Sequence, residues 1–363
     1  MDRLEPGRRD VDAVETRTYS SGSKFAPGDT LMARITPCLE NGKIARYLPK
    51  GEPMPAAGST EFMVLRGRPG ITETEFAYYF AIDPTIHDLA VTLMTGTSGR
   101  QRVDVSAFSE TEVRIPNLET QRAVSSILGS LDDKIAANIE AVRTIDCLRN
   151  ALWHRNLAHG TTATPLSSLA SFVNGGAFTK NATGTGRVVV RIAEMNGGIG
   201  NNTVRNELDV PETKVVRPGE LLFSWSGTLM AKRWPYDEAI VNQHIFKVIP
   251  DHGFPLAFLD CAIEQQLNFF KMIAVGKATT MGHIKRSDLD AEVQIPIQFR
   301  EEDLRLAESL WANASALEKE NMILAKTRDE LLPLLMSGKI TVREASQEAA
   351  AAGAPTPSEE DEV

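Results

Sequence analysis

Two short loops concentrate the polar chemistry of this chain. In "TGTSGRQR" the residues Thr95, Thr97, Ser98, Gly99, Arg100, Gln101 and Arg102 crowd together, and in "GKATTMGHIKR" Lys277, Thr279, Thr280, Gly282, His283, Lys285 and Arg286 do the same. Glycines let backbone N–H groups approach a phosphate closely, and Arg or Lys neutralises its charge. Arg and Gln also present paired hydrogen-bonding atoms that match guanine and adenine edges. A flexible solvated loop is the plain alternative for either stretch. Recurrence of both loops at matching places in the chain favours nucleic-acid contact, and their different residues suggest two sites of different specificity. Arg34, Asn41 and Lys43 in the first half, and Ser224, Trp225, Ser226, Lys232, Arg233 and Gln243 in the second, are further candidates for DNA binding. Trp225 and Trp234 have faces that stack on bases, although a buried core position is the commoner fate of tryptophan.

Other chemistries find little support. The six histidines are scattered, with no HExxH and no His/Cys cluster, so no metal site is expected. No Walker-type phosphate loop, methyltransferase "NPPY" or "DPPY" box or G-x-S-x-G elbow occurs. "ELDVPETK" at 207–214 contains a carboxylate–x–Lys fragment of the kind nucleases use, but it lies in a predicted loop without partner acids. A binding protein is the better expectation. Cys38, Cys147 and Cys261 are odd in number and far apart, which fits a reducing cytoplasm. The net charge of −9 is partly a tail effect, because residues 344–363 carry −6 without a Lys or Arg. That Ala/Pro/Glu-rich tail is expected to be disordered.

The loops sit inside an internal repeat. "PGDTLMARITPCLENGKIARY" at 27–47 answers "PGELLFSWSGTLMAKRW" at 218–234, and "STEFMVLR" at 59–66 answers "NQHIFKVIP" at 242–250. The runs "TLMARI", "EFMVLR", "LLFSW" and "HIFKVI" read as strands bounded by Gly and Pro. "TETEFAYYFAIDP" and "PLAFLDCAIEQQLNFFKMI" have helical spacing, with Thr72 or Thr74 expected to cap the first. "TEVRIP" and "AEVQIP" are each expected to form a closing strand, ended by a proline that lacks an N–H for the ladder.

After each closing stretch comes a long amphipathic pattern. Leu128, Leu131, Ile135, Val142, Ile145 and Leu152 alternate at three and four residues, with Asn138 and Arg149 in the intervening slots. Leu310, Leu317, Leu324 and Leu331 recur at sevenfold spacing. Each helix packing on its own globule is the bland alternative, but a heptad in both copies favours pairing of the helices with each other.

The order "GDTLMARITPCLENGK…GSTEFMVLR…SGRQRV…IPNLETQRAVSSILGSLDDKIAANIEAVRTIDCLRNALW" resembles the specificity subunit of type I restriction–modification systems over residues 1–340. The resemblance implies an α+β chain with two globular α/β target-recognition domains joined by two long helices forming an antiparallel coiled coil. The implied boundaries are 1–117 and 161–297 for the recognition domains, 118–160 and 298–343 for the spacer helices, and 344–363 for a disordered acidic tail. Each domain of that family reads one half of a split double-stranded DNA target, and the subunit itself catalyses nothing. The implied partners are methyltransferase subunits, which use S-adenosylmethionine, and restriction/translocase subunits, which use ATP and Mg. No membrane association is expected. The first half departs from the pattern: 26 residues precede Pro27, whereas 53 residues run from Pro165 to Arg217 before the matching strand. The first recognition domain is therefore expected to lack its N-terminal counterpart of residues 165–191. A protein-interaction scaffold, or an inactive truncated specificity subunit without DNA reading, is the alternative.

Overall fold

In the computed structural model, residues 1–355 are described except 14, 16–18, 20, 98, 201 and 277–281. The chain divides into two compact units, residues 1–137 with 320–363, and residues 138–319.

Unit 1 contains β1 (Asp10–Val11), β2 (Ser23–Phe25), β3 (Thr30–Ala33), β4 (Ile44–Tyr47), β5 (Ala56–Gly58) and β6 (Phe62–Leu65). Its main sheet has the order β1-β4-β3-β6, with β1 parallel to β4 and the other pairs antiparallel. Every residue of β3 and β4 is buried, as expected of short apolar strands at the centre of a sheet. One face carries Leu31, Ala45 and Phe62 against Leu4, Phe25 and Tyr47, with Phe25 edge-on to Tyr47 at 4.9 Å. The helical stretch after β6 is broken into α1 (Phe76–Ile82) and α2 (Pro84–Thr92). Pro84 cannot donate a helical N–H, and the Asp83 carboxylate instead accepts from the N–H groups of Thr85 and Ile86. Neither Thr72 nor Thr74 caps α1; Glu75 holds that position without a side-chain bond. Then come β7 (Met94–Thr95), β8 (Arg102–Val103) and α3 (Val105–Glu110). The expected closing strand at 111–116 is absent: these residues pair with nothing in a ladder, and Thr111–Arg114 are exposed.

The helix α4 (Leu118–Leu157) gives its first half to unit 1 and its second half to unit 2. Unit 2 continues with β9 (Thr161–Pro165), β10 (Ala170–Asn174), β11 (Arg187–Val190), α5 (Ile192–Gly197), β12 (Arg205–Asn206), β13 (Val215–Val216), β14 (Leu221–Ser224), β15 (Met230–Arg233), β16 (Ala239–Val241) and β17 (Ile245–Pro250). Two four-stranded sheets result, β10-β17-β14-β15 and β12-β11-β16-β13. The helix α6 (Leu256–Gly276) buries Phe258, Leu259 and Phe270 against the first sheet, where Phe223, Phe172 and Phe246 meet. The strand β18 (Glu292–Pro296) pairs antiparallel with β9 over five residue pairs and closes the unit.

Helix α7 (Glu301–Met336) runs back antiparallel to α4 within each unit. In unit 2 Asp303 takes Arg155 and Asn156, and Arg233 bridges Asp146 and Glu318. In unit 1 Lys134 meets Glu320 at 3.7 Å and Arg328 meets Asp132 at 2.7 Å. Leu128, Leu131, Ile135, Leu152, Leu324 and Leu331 are buried, while Val142, Ile145, Leu310 and Leu317 are half-buried. The architecture is thus two α/β units with paired long helices.

Two departures concern the ends of these helices. Arg149 does not merely interrupt a seam: it is buried, donates to Asp260 at 2.7 Å and to the Ala257 carbonyl, and lies over the Trp311 ring. Second, the chain from 344 onward does not begin as disorder. A last helix, α8 (Val342–Ala351), opens with Thr341 and Glu344 in a reciprocal cap and buries Ala345 and Ala349. The alanine run read as low complexity is also the composition with the least cost for forming helix. Residues 356–363 of the expected tail lie outside the described residues.

Candidate nucleic-acid interface

The two polar loops are anchored by the same three-loop arrangement in both units. In unit 1 the loop after β3 crosses the loop before β6 and the strand β8. Arg34 donates its N–H to the Glu61 carbonyl at 3.0 Å, Thr36 to the Gln101 carbonyl at 3.0 Å, and Val103 to the Arg34 carbonyl at 2.8 Å. In unit 2 Trp225 donates to the His244 carbonyl at 3.2 Å, Gly227 to Gly282 at 2.9 Å, and Ile284 to Trp225 at 3.0 Å. An isolated β-bridge accompanies each set, Ile35 with Arg102 and Ser226 with His283. Bond for bond, Arg34, Glu61 and Arg102 therefore occupy the positions of Trp225, His244 and His283. Gly282 is required here, because a Cβ would come within 2.9 Å of the Ala274 carbonyl oxygen.

The side chains differ in kind. Glu61 accepts from Arg102 Nη2 at 2.8 Å and Nε at 2.9 Å, and from Arg34 Nε at 3.3 Å. The hydrogen bonds from Arg102, more than the neighbouring charge, hold the Glu61 carboxyl below its ordinary range. All three groups remain partly open to solvent. Unit 2 has neither a carboxylate nor a guanidinium in these places. Trp225 lies 5.5 Å from the His244 ring and 6.4 Å from His283, edge-on to the latter. Its Nε1 donates to Asn174 Oδ1 at 3.0 Å, so strand β10 orients the indole. The His244 ring hydrogen-bonds Ser226 at 3.1 Å and the exposed Gln243 at 3.2 Å.

The remaining expected residues divide by environment. Thr97, Gly99 and Arg100 are exposed and Gln101 half-exposed beside the unit 1 cluster; Gly99 takes a positive φ of 79° at the loop tip. Lys285 and Arg286 are exposed, and Arg286 lines an open cleft of about 430 Å³ with Ser167, Ser171, Asp251 and Asp290. Ser98, Lys277, Thr279 and Thr280 lie outside the described residues. Lys43 is tied to the Met1 carbonyl, and the Lys232 ammonium donates to the Met195 carbonyl at 2.8 Å, where desolvation lowers its pKa. Arg233 is corrected outright: it is buried, chelates Asp146 at 2.8 and 3.0 Å, binds Glu318 and packs on Trp311, so its role is internal. Trp234 is buried in the second-sheet core. Glu61 and His244 escaped a search for basic loops. Their signal lay in the repeat itself, where "STEF" and "NQHI" put them in register.

The loop scaffold is thus repeated bond for bond in the two units, with different side chains at its tips. Residues 24–142, which include the whole unit 1 cluster and the start of α4, match the family described as the type I restriction modification DNA specificity domain. The chain is similar to two Escherichia coli proteins, the type I restriction enzyme EcoEI specificity subunit (36% identity over 107 residues) and the EcoAI specificity subunit (31% over 102 residues). Each match covers 28% of this chain and 17% of the relative. Over this segment the chain is similar to type I restriction enzyme specificity subunits, of whose own length it matches about a sixth. Among solved structures, the type I system S subunit of M. genitalium aligns over 92% of this chain and 89% of its own, at 16% identity and a TM-score of 0.49. The HsdS subunit of Thermoanaerobacter tengcongensis aligns over 87% and 82%, at 18% identity and a TM-score of 0.31. No described helix is long and apolar enough to cross a membrane.

Proposed function

We propose that the chain is the DNA-recognition subunit of a type I restriction–modification complex, that each unit reads one half of a split target, and that the subunit is not itself a catalyst. The observation that carries this reading is the duplicated loop cluster, constant in backbone and different in side chain. A protein that must read two unlike half-sites needs that combination: one scaffold to present base-facing groups, and unlike groups to discriminate. The exposed Arg100, Lys285 and Arg286 and the half-exposed Gln101 supply phosphate contacts in this reading, joined by Thr97 and Gly99. The paired helices α4 and α7 serve as the spacer and as the seat for methyltransferase subunits and, through them, restriction subunits. S-adenosylmethionine, ATP and Mg would belong to those partners, and the complex would act in the cytoplasm.

The test is binding of the chain, assembled with its methyltransferase subunit, to duplex DNA across a salt series. Log affinity should fall linearly with log salt, losing about 0.9 of a unit of slope per phosphate contact, and the footprint should show two protected segments with an unread gap. A second reading, a protein-interaction scaffold without DNA reading, draws on the unpaired strand edges of unit 1. It expects no salt-dependent duplex binding.

A further inference from the structure

We propose that Arg34, Glu61 and Arg102 are the specificity-determining residues of unit 1, and that together they read a guanine–cytosine pair through the major groove. The inference rests on the DNA-recognition reading above and names the chemistry of one half-site.

Two solvent-facing arginines on neighbouring loops would by themselves form a phosphate site. Glu61 changes that. Its carboxylate contacts both guanidinium groups, cancels part of their charge and repels a phosphate brought between them. What remains is an ordered set of hydrogen-bonding atoms, donors from arginine next to an acceptor from glutamate. The major-groove edge of a G·C pair presents the complement: N7 and O6 accept on guanine, and the N4 amino group donates on cytosine. An A·T pair presents an acceptor, a donor, an acceptor and a methyl group, which leaves one guanidinium donor facing an amino group. Glu61 is ionised at neutral pH, because Arg102 holds its carboxyl below the ordinary range, so it acts only as an acceptor. Because it keeps the guanidinium groups ordered before DNA arrives, less freedom is lost on binding. In unit 2 the same three backbone positions hold Trp225, His244 and His283, so nothing there demands this pair.

A purely local ion pair is the rival explanation. Exposed pairs of this kind contribute little to stability, so Glu61→Gln should fold normally and the two roles can be separated. The full chain, co-purified with its methyltransferase subunit, is used to select bound sequences from a randomised duplex DNA library. For the wild-type protein, one half-site should contain a required G·C pair, and 7-deazaguanine at that guanine should weaken binding. Glu61→Gln should relax the preference at that pair by about 5- to 150-fold, the span of one good paired base contact, and leave the other half-site unchanged. Arg34→Ala or Arg102→Ala should remove the 7-deaza effect. The proposal is overturned if Glu61→Gln selects the same sequences with the same relative affinities, or if neither wild-type half-site requires a G·C pair. A wild-type complex that selects no sequence at all would overturn the DNA-recognition reading as well.

Discussion

Residues 111–116, "TEVRIP", and 291–296, "AEVQIP", are near copies in sequence and different in structure. The second forms β18 on β9, with Val293 fully buried and five residues in register. The first forms no strand, and Val113 is 40% exposed. The difference lies in the partner, since a single strand without a ladder leaves its N–H and C=O groups to water and buries no face. No described residue of unit 1 takes the place of β9. The same holds for the sheets: among the described residues β17 is flanked by β10 and β14, whereas β6 pairs with β3 alone, and β16 is flanked by β11 and β13, whereas β5 pairs with β2 alone. Unit 1 compensates elsewhere. Its β1 adds parallel to β4, and Arg46 ties that strand to Asp10 and Glu75. Its core also leans on a buried network in which Asp132 accepts from Tyr79 at 2.9 Å and pairs with Arg328, while Arg328 donates to the Gly7 carbonyl. Unit 2 spreads the corresponding load, Arg149 being shared among Asp260, Asp146, a carbonyl and the Trp311 ring.

Substitutions should break this contrast in graded steps. Arg328→Met leaves Asp132 buried without its cation and should destabilise unit 1 by about 3–5 kcal/mol, measured by denaturant unfolding; Arg149→Met should cost unit 2 less, since Asp260 is nearer solvent. Val293→Pro should cost about 1–3 kcal/mol by leaving a buried ladder acceptor unpaired, whereas Val113→Pro should fall within about 0.5 kcal/mol. Equal effects of the two proline variants would mean that 111–116 is paired in solution. Thr341→Ala removes the cap of α8 and should cost about 1 kcal/mol, read as faster amide exchange over 342–351. Glu61→Gln should change stability by no more than about 1 kcal/mol, which sharpens the view that this ion pair serves reading and not folding.

Much of this arrangement was legible in the residues. Apolar runs punctuated by Gly and Pro gave β3, β6, β14 and β17, because buried strands need those side chains and nothing more. The long helices followed from the spacing of Leu128 to Leu152 and of Leu310 to Leu331. The strand at 111–116 was misread because pairing is a property of two segments, and local pattern describes one. The helix at 342–351 was misread because an alanine-rich stretch supports disorder or helix according to its cap, and Thr341 with Glu344 decides it. In the candidate interface, exposure separates Arg102 from Arg233, a distinction that residue type cannot make. Glu61 and His244 became visible as candidate positions only when the matching backbone bonds aligned the two units.

The central claim is that two copies of one loop cluster face two different half-sites. Photo-crosslinking tests it most directly, with a photoreactive residue placed at position 34 in one protein and at position 225 in another, each assembled with its methyltransferase subunit on a duplex carrying the target. The expected result is one crosslinked segment for each protein, separated by bases that neither touches. Crosslinks from both positions to the same segment, or from neither to DNA that is demonstrably bound, would contradict the account.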